Sequence, residues 1–263
     1  RFRTDFQWRD QTKTTGWFRD ISFTVNDELI DIEELRVDAQ LTGIGRFITF
    51  ATPRVGLDYL SEQLNRFPDS ELKNVLNDLK PSGNLTGLQL KLPLDDASGF
   101  TFNANIENVS VGAWGGAPAV SNLNGSVAAD ALGGVVNISG GPFTMHFPTI
   151  YERPFEFNQA TGRVYWQVDA EAGSVLVGAS DLKMAGDIGD MTGAFYLDGM
   201  MGEYSDPKRD TQLILQIGLD RSSVTRHRDL VPFVVSENLR GWLDNALVVG
   251  DLNEGDFLMR LDL

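Results

Sequence analysis

Leu88-Gln89-Leu90-Lys91-Leu92 and Phe100-Thr101-Phe102-Asn103-Ala104-Asn105-Ile106 alternate apolar with polar residues, and the stretch from Leu213 to Leu219 does so again late in the chain. Period-two alternation marks a strand with one oily face and one wet face. The same pattern recurs from Leu85 to Leu219, interrupted by Gly- or Asn-rich breaks. So many such strands in succession imply a large antiparallel sheet whose apolar side must be covered by something.

Working outward, the alternation predicts strands at Asp5–Arg9, Gly16–Val25, Glu34–Gln40 and Arg46–Phe50. The main series follows: Leu85–Leu94, Phe100–Val111, Gly125–Ala129, Gly134–Ser139, Phe143–Phe147, Gly162–Val168, Ser174–Leu182, Gly193–Leu197 and Thr211–Leu219. Turn chemistry separates them, as in Asp95-Asp96, Gly140-Gly141 and Asp206-Pro207. The period changes three times. Thr52-Pro53 reads as a helix cap with Pro at the first helical position, predicting a helix over 53–66. A second helix is predicted over 69–80 and a third over 236–248, before a last strand at Gly255–Leu263. Val75-Leu76-Asn77-Asp78-Leu79 with Gly83-Asn84-Leu85 matches Trp242-Leu243-Asp244-Asn245-Ala246 with Gly250-Asp251-Leu252, a short repeat of helix, link and strand.

Composition narrows the functions. The 263 residues carry 37 acidic and 22 basic side chains, a net charge of -15. Nucleic-acid binding needs clustered Lys and Arg, and so does electrostatic adhesion to anionic lipid, so both are disfavoured. Apolar contact with lipid tails is not. There is no cysteine, hence no disulfide bracing and no thiolate chemistry. No run of eighteen apolar residues spans a membrane. The chain opens on Arg1-Phe2-Arg3 without a signal segment and ends inside an alternating strand at Leu261-Asp262-Leu263, so it is expected to be a section of a longer protein.

A catalytic constellation is hard to find, and the expectation is a non-enzymatic protein without cofactor. His146 falls on the polar side of Phe143-Thr144-Met145-His146-Phe147 and is expected to be exposed. His227, in Arg226-His227-Arg228, is expected in a solvated loop. Two histidines without cysteine offer no zinc-ligand spacing, so no metal site is predicted. Asp181, Asp187 and Asp190 lack calcium-loop spacing and read as turn residues. No nucleophile elbow or glycine-rich nucleotide loop is present. The four N-x-S/T triplets at Asn84, Asn108, Asn124 and Asn137 follow from Asn- and Ser-rich wet faces. What remains is the apolar face itself. It is either packed against a second sheet or exposed as a binding surface.

One segment bears on that choice. Phe143-Thr144-Met145-His146-Phe147-Pro148-Thr149-Ile150-Tyr151-Glu152-Arg153-Pro154, continuing through Thr161-Gly162-Arg163-Val164-Tyr165-Trp166, resembles the central region of the YhdP family, large AsmA-like envelope proteins of Gram-negative bacteria. Leu230-Val231-Pro232, the stretch from Trp242 to Leu247, and Gly250-Asp251-Leu252-Asn253-Glu254-Gly255 agree, as does Trp114-Gly115 with Pro118 before Leu123-Asn124-Gly125-Ser126-Val127. The similarity is carried by residues 70–263, and by general pattern over 1–69.

The resemblance implies a mainly β (α+β) fold: a long twisted antiparallel sheet curled into an open groove, with a few short amphipathic helices. It implies strands followed by a helical pair over 1–80, an antiparallel β-groove section over 81–235, and over 236–263 a helix and the first strand of a next section. It further implies a periplasmic section of an inner-membrane-anchored bridge that carries phospholipid to the outer membrane. Partners would be phospholipid acyl chains and, through the rest of the parent chain, components of both membranes. The lining positions would be Leu88, Leu90, Leu92, Phe102, Ala104, Ile106, Phe143, Met145, Phe147, Val164, Trp166, Val175, Val177, Leu213, Leu215 and Ile217. Gln89, Lys91, Thr101, Asn103 and Gln216 would form the wet side. Two alternatives stand beside this: a TamB-like scaffold for outer-membrane protein assembly, and a carbohydrate-binding β-sandwich, the latter hinted at by five Trp and many Asn.

Overall fold

The computed structural model describes residues 3–8, 13–25, 28–43, 45–59, 77–95, 99–114, 116–200 and 211–262. Among the described residues fifteen strands are present: β1 (Arg3–Trp8), β2 (Lys13–Val25), β3 (Glu28–Gln40), β4 (Phe47–Gly56), β5 (Ser82–Pro93), β6 (Thr101–Val111), β7 (Ala119–Asp130), β8 (Gly133–Ser139), β9 (Phe143–His146), β10 (Phe155–Phe157), β11 (Gln159–Asp169), β12 (Ser174–Gly186), β13 (Gly189–Met200), β14 (Gln212–Ser223) and β15 (Asp251–Asp262). A 3-10 turn (Val224–Arg226) leads into α1 (His227–Leu230), followed by α2 (Glu237–Ala246). Hydrogen-bonded order follows chain order from β1 to β8, then β11 to β15, with the β9–β10 hairpin branching off through β7. The sheet is open: β1 and β15 are its two ends. This is the mainly β, antiparallel fold with few short helices that the alternation predicts.

The contacts divide the chain into two compact units, one of Arg1–Val109 with Gly125–Val136, the other of Ser110–Asn124 with Asn137–Leu263. In the first, cross-strand register places Phe18 opposite Leu35, Val37 opposite Phe50, and Phe50 opposite Leu90. The other face carries Arg19 opposite Glu34, ion-paired at 2.8 Å, with Arg19 also reaching Asp5 at 2.9 Å. Thr15 donates to Asp38 at 2.6 Å on this face, and the Lys91 ammonium lies 4.5 Å from the centre of the Phe47 ring. Where β4 and β5 begin and end, Arg46 Nε donates to Asp95 Oδ1 at 2.8 Å, and the Arg46 carbonyl accepts from Leu94 N at 2.9 Å.

In the second unit the buried core is Phe143, Phe155, Phe157, Ala160, Met184, Ile188 and Met191. Phe143 stacks on Phe157 at 6.2 Å between ring centres, Phe157 on Phe155 at 6.4 Å, and Tyr151 meets Phe155 edge-on at 4.8 Å. Aromatic pairs at this spacing contribute about 0.5–1.5 kcal/mol beyond the area they bury. The ends of α2 are explained locally: Ser236 accepts from Leu239 N at the N-terminus, and Glu237 in the first turn complements the helix dipole.

Some strands run further than the alternation predicts, and several contain left-handed residues. β12 continues past Leu182 to Gly186, and β14 past Leu219 to Ser223. Asp181 (φ 55°) and Arg221 (φ 53°) are left-handed residues inside these strands, as are Asp20 in β2, Asn108 in β6 and Asn122 in β7. Such a residue can switch which face the following side chains point to while pairing continues. Leu88, Leu90 and Leu92 thus give way to buried Leu85 across Gly87 (φ 59°), and Val175 and Val177 to Leu182 and Met184 across a register shift between Ala179 and Leu182.

The helix predicted from Pro53 begins later, because β4 extends to Gly56. Past Ala51, β4 pairs with β5 alone, and a strand with one free edge tolerates a residue that has no N–H. Residues 57–59 and 77–79 are helical, and the remainder of the helices predicted over 53–66 and 69–80 lies outside the described residues. Strand β10 and helix α1 are additions to the predicted set.

Gly162 (φ 152°) supplies a first test. A Cβ there would sit 2.6 Å from Leu182 Cδ2 and 2.9 Å from its Cα. Gly162→Val is expected to cost about 2 kcal/mol or more in urea denaturation. A loss below about 0.5 kcal/mol, the usual range of neutral surface changes, would show that β11 does not need this close approach.

Candidate functional site

Within the second unit, β13 and β14 alternate without interruption, so Met191, Gly193, Phe195 and Leu197 share one face with Leu219, Ile217, Leu215 and Leu213. Register extends that face in both directions. Val164, Trp166 and Val168 on β11 pair with Ala179, Val177 and Val175 on β12, and Phe257, Met259 and Leu261 on β15 pair with Ile217, Leu215 and Leu213. The opposite face is mixed: it carries Arg163, Gln167, Asp198, Gln216 and Asp256 beside Leu176, Tyr196, Ile214 and Leu258, with the Tyr165 ring lying over Gly178, where a Cβ would come within 2.5 Å of it. One face is therefore continuously apolar across five strands.

Among the described residues that face is covered at one end. Ala160, Met184 and Met191 are buried under the β9–β10 hairpin, with Ile217 and Leu219 packed alongside. Val164, Trp166, Val177, Phe195, Leu197, Leu213 and Leu215 are half-buried and lie outside that cluster. On β15, Phe257 is 52% exposed and Leu261 38%.

The predicted lining positions fall into three groups. Leu88, Leu90 and Phe102 are half-buried and Leu92 is 37% exposed, all in the first unit, where Ala104 and Ile106 are buried. Val164, Trp166, Val175, Val177, Leu213, Leu215 and Ile217 share the single face of the second unit. Phe143, Met145 and Phe147 belong instead to the hairpin that covers its end: Phe143 is in the buried cluster, with Met145 and Phe147 packed against it. Gln89, Lys91, Thr101, Asn103 and Gln216 are all exposed.

Both histidines turn out to be structural. His146 is half-buried, and its Nε2 donates to the Tyr151 carbonyl at 3.1 Å, bracing the hairpin turn rather than facing solvent. His227 is buried in a helical turn, not in a solvated loop: Nδ1 lies 2.8 Å from the Val224 carbonyl and Nε2 2.8 Å from Asp244 Oδ1. The adjacent Arg228 Nε donates to the same Asp244 oxygen at 2.8 Å, which ties α1 to α2 and explains why the basic triplet is not free. Asp181 sits in the β12 irregularity, Asp187 in the β12–β13 turn, and Asp190 pairs with Arg221.

A cleft of about 900 Å³ lies beside the hairpin, lined by Tyr151 and Phe155 on one side and by Arg226, Asp229, Arg240 and Leu243 on the other. Burial pushes the Tyr151 phenol above its usual pKa, and its hydroxyl donates to the Leu230 carbonyl at 3.1 Å. Among the described residues no group of three or more His, Asp or Glu is placed to hold a metal ion, and no helix is long and apolar enough to cross a membrane.

The residues that sequence reasoning missed are Tyr151, Phe155, Phe157 and Ile188. Their signal is Phe155-Glu156-Phe157, a three-residue alternation directly after Pro154 and too short to stand out as a strand.

Fold and site together define a class: an open antiparallel sheet with one face apolar across five strands of the second unit. The chain belongs to the YhdP family, an envelope-protein family whose model, described as "YhdP protein", matches residues 1–263. No curated protein and no solved structure matches it.

The α1–α2 tie has a testable pH dependence. Hydrogen bonds from Arg228 and then His227 hold the Asp244 carboxyl below its usual value of 3.8. A carboxylate depressed in the folded state stabilises above its unfolded pKa, and that contribution is lost as pH falls through the folded value. Thermal midpoints of Asp244→Asn should therefore fall less steeply in acid than those of the unmodified chain. Superimposable acid limbs would show that the tie carries no linkage.

Proposed function

We propose that this chain is a section of a periplasmic bridge that conducts phospholipid along the apolar face of its sheet, without catalysing a reaction. The observation that carries the reading is the half-buried row from Val164 and Trp166 through Val177 and Leu197 to Leu213 and Leu215, apolar on every strand and outside the buried cluster. Family membership supports it, because an envelope protein works between two lipid bilayers. In the proposed arrangement the parent protein is anchored in the inner membrane and reaches toward the outer one.

The energetics favour such a surface. Each methylene removed from water is worth about 0.8 kcal/mol, so two acyl chains outside a bilayer need of order 20 kcal/mol of apolar cover. An open sheet face supplies cover along the chains and leaves the head group in solvent. The acidic surface, with net charge -15, gives no electrostatic hold on anionic head groups, so the lipid is held by its chains.

Photocrosslinkers at Leu90, Phe102 and Leu215 are expected to capture phospholipid in cells, and those at Gln89 and Asn103 are not. Equal labelling of both sets would sink the reading, and capture of unfolded polypeptide in place of lipid would favour an assembly scaffold. Leu215→Asp is expected to cut lipid delivery at least tenfold at unchanged protein level. Delivery at the unmodified rate would count against a lipid path over β14.

A further inference from the structure

The apolar face of the second unit is divided by a line of backbone irregularities. Gly162 on β11, the register shift between Ala179 and Leu182 on β12, and Gly193 on β13 lie side by side in the sheet. Leu182 fills the notch the two glycines leave: a Cβ at Gly162 would be 2.6 Å from its Cδ2, and one at Gly193 would be 3.6 Å from its Cβ. On one side of this crease are Ala160, Met184 and Met191, with relative exposures of 1%, 9% and 8%. On the other are the larger Val164, Trp166, Val177, Phe195 and Leu197, all half-buried, with the small Ala179 buried between them at 4%.

The covering element is fixed rather than loose. Its inner edge touches backbone: a Cβ at Gly186 would meet the Glu156 carbonyl oxygen at 2.6 Å, and Asn158 N donates to the Ala185 carbonyl at 2.8 Å. Its turn is held from the other side, where Tyr151 Oη donates to the Leu230 carbonyl at 3.1 Å and Phe233 N to the Ile150 carbonyl at 2.9 Å. A segment anchored at both edges and filled by stacked rings closes off the surface beneath it in the manner of a protein core.

We propose that the β9–β10 hairpin is an end stop that confines acyl chains to the Val164–Trp166 side of the crease and keeps them off the Ala160–Met184–Met191 side. The proposal rests on the lipid-conducting reading and adds where on the face the chains lie. From Val164 to Val168 the available surface runs about 13 Å along the strands, and from β11 to β15 about 19 Å across them. Its long axis crosses the strands, so extended acyl chains lie across them, and Phe143, Phe155 and Phe157 serve as positioning residues that never need to touch the head group.

The unmodified chain already holds the reporters. Met259 pairs with Leu215 on the open side, whereas Met184 and Met191 lie beneath the hairpin. Hydroxyl-radical footprinting of the full chain, with and without phosphatidylethanolamine–phosphatidylglycerol vesicles, should protect Met259 at least threefold and leave Met184 and Met191 unchanged. Photocrosslinkers at Trp166 and Phe195 should capture phospholipid at least tenfold more than one at Met184. Gly186→Val, which displaces the hairpin without altering its rings, should raise capture at Met184 toward that at Trp166, with circular dichroism confirming the fold. Equal capture at Trp166 and Met184 in the unmodified chain overturns the end stop and leaves the lipid reading intact. Absence of lipid at all positions overturns both. Unchanged exclusion in a folded Gly186→Val chain shows that something other than the hairpin excludes lipid.

Discussion

Every strand in an antiparallel sheet has two faces, and only one of them can be wet at no cost. In a sandwich a second sheet covers the apolar faces. Here, among the described residues, the second unit covers one end of its apolar face with a single aromatic hairpin and leaves the large side chains beyond it half-buried or exposed. Each of the other features bears on that constraint. The hairpin needs Gly186 to approach the sheet, Tyr151 and Phe233 to hold its turn, and the α1–α2 tie through Asp244 to hold the segment it leans on.

The wet face is organised with equal economy. Arg19 bridges Asp5 and Glu34 across three strands, and Lys91 lies over Phe47. Exposed pairs like these contribute little stability, about 0–1 kcal/mol each. Their use is to mark which side faces water and to keep register, since a slip of one residue would turn every apolar side chain outward. Tyr165 over Gly178 serves the same end, shielding a backbone stretch that has no side chain of its own.

The alternation in Leu88–Leu92, Phe100–Ile106 and Leu213–Leu219 made the sheet and the two faces legible, because period two is a local property of a strand. Strand ends were less legible: β14 continues past Leu219 through the left-handed Arg221 to Ser223, and β12 past Leu182 to Gly186. Which apolar residues share a face could be read as far as alternation goes. That Phe143 would stack on Phe157 could not, since the two are joined by a turn and brought together by β9–β10 pairing. His227 was misplaced for a related reason: the carboxylate that orders it, Asp244, is seventeen residues away on another helix.

The left-handed residues inside the strands also bear on which insertions and deletions this sheet can accept. In an ordinary strand, adding one residue inverts everything beyond it and exposes half a core. Here the register shift around Asp181 already marks a place where the chain takes in an extra residue without losing its neighbours. Length variation of a single residue can be absorbed there by forming or removing one such switch, with the oily rows on either side kept in place. Relatives of this chain should therefore differ in strand length by odd numbers at this position, and by even numbers or not at all along β13, whose alternation runs unbroken from Met191 to Leu197.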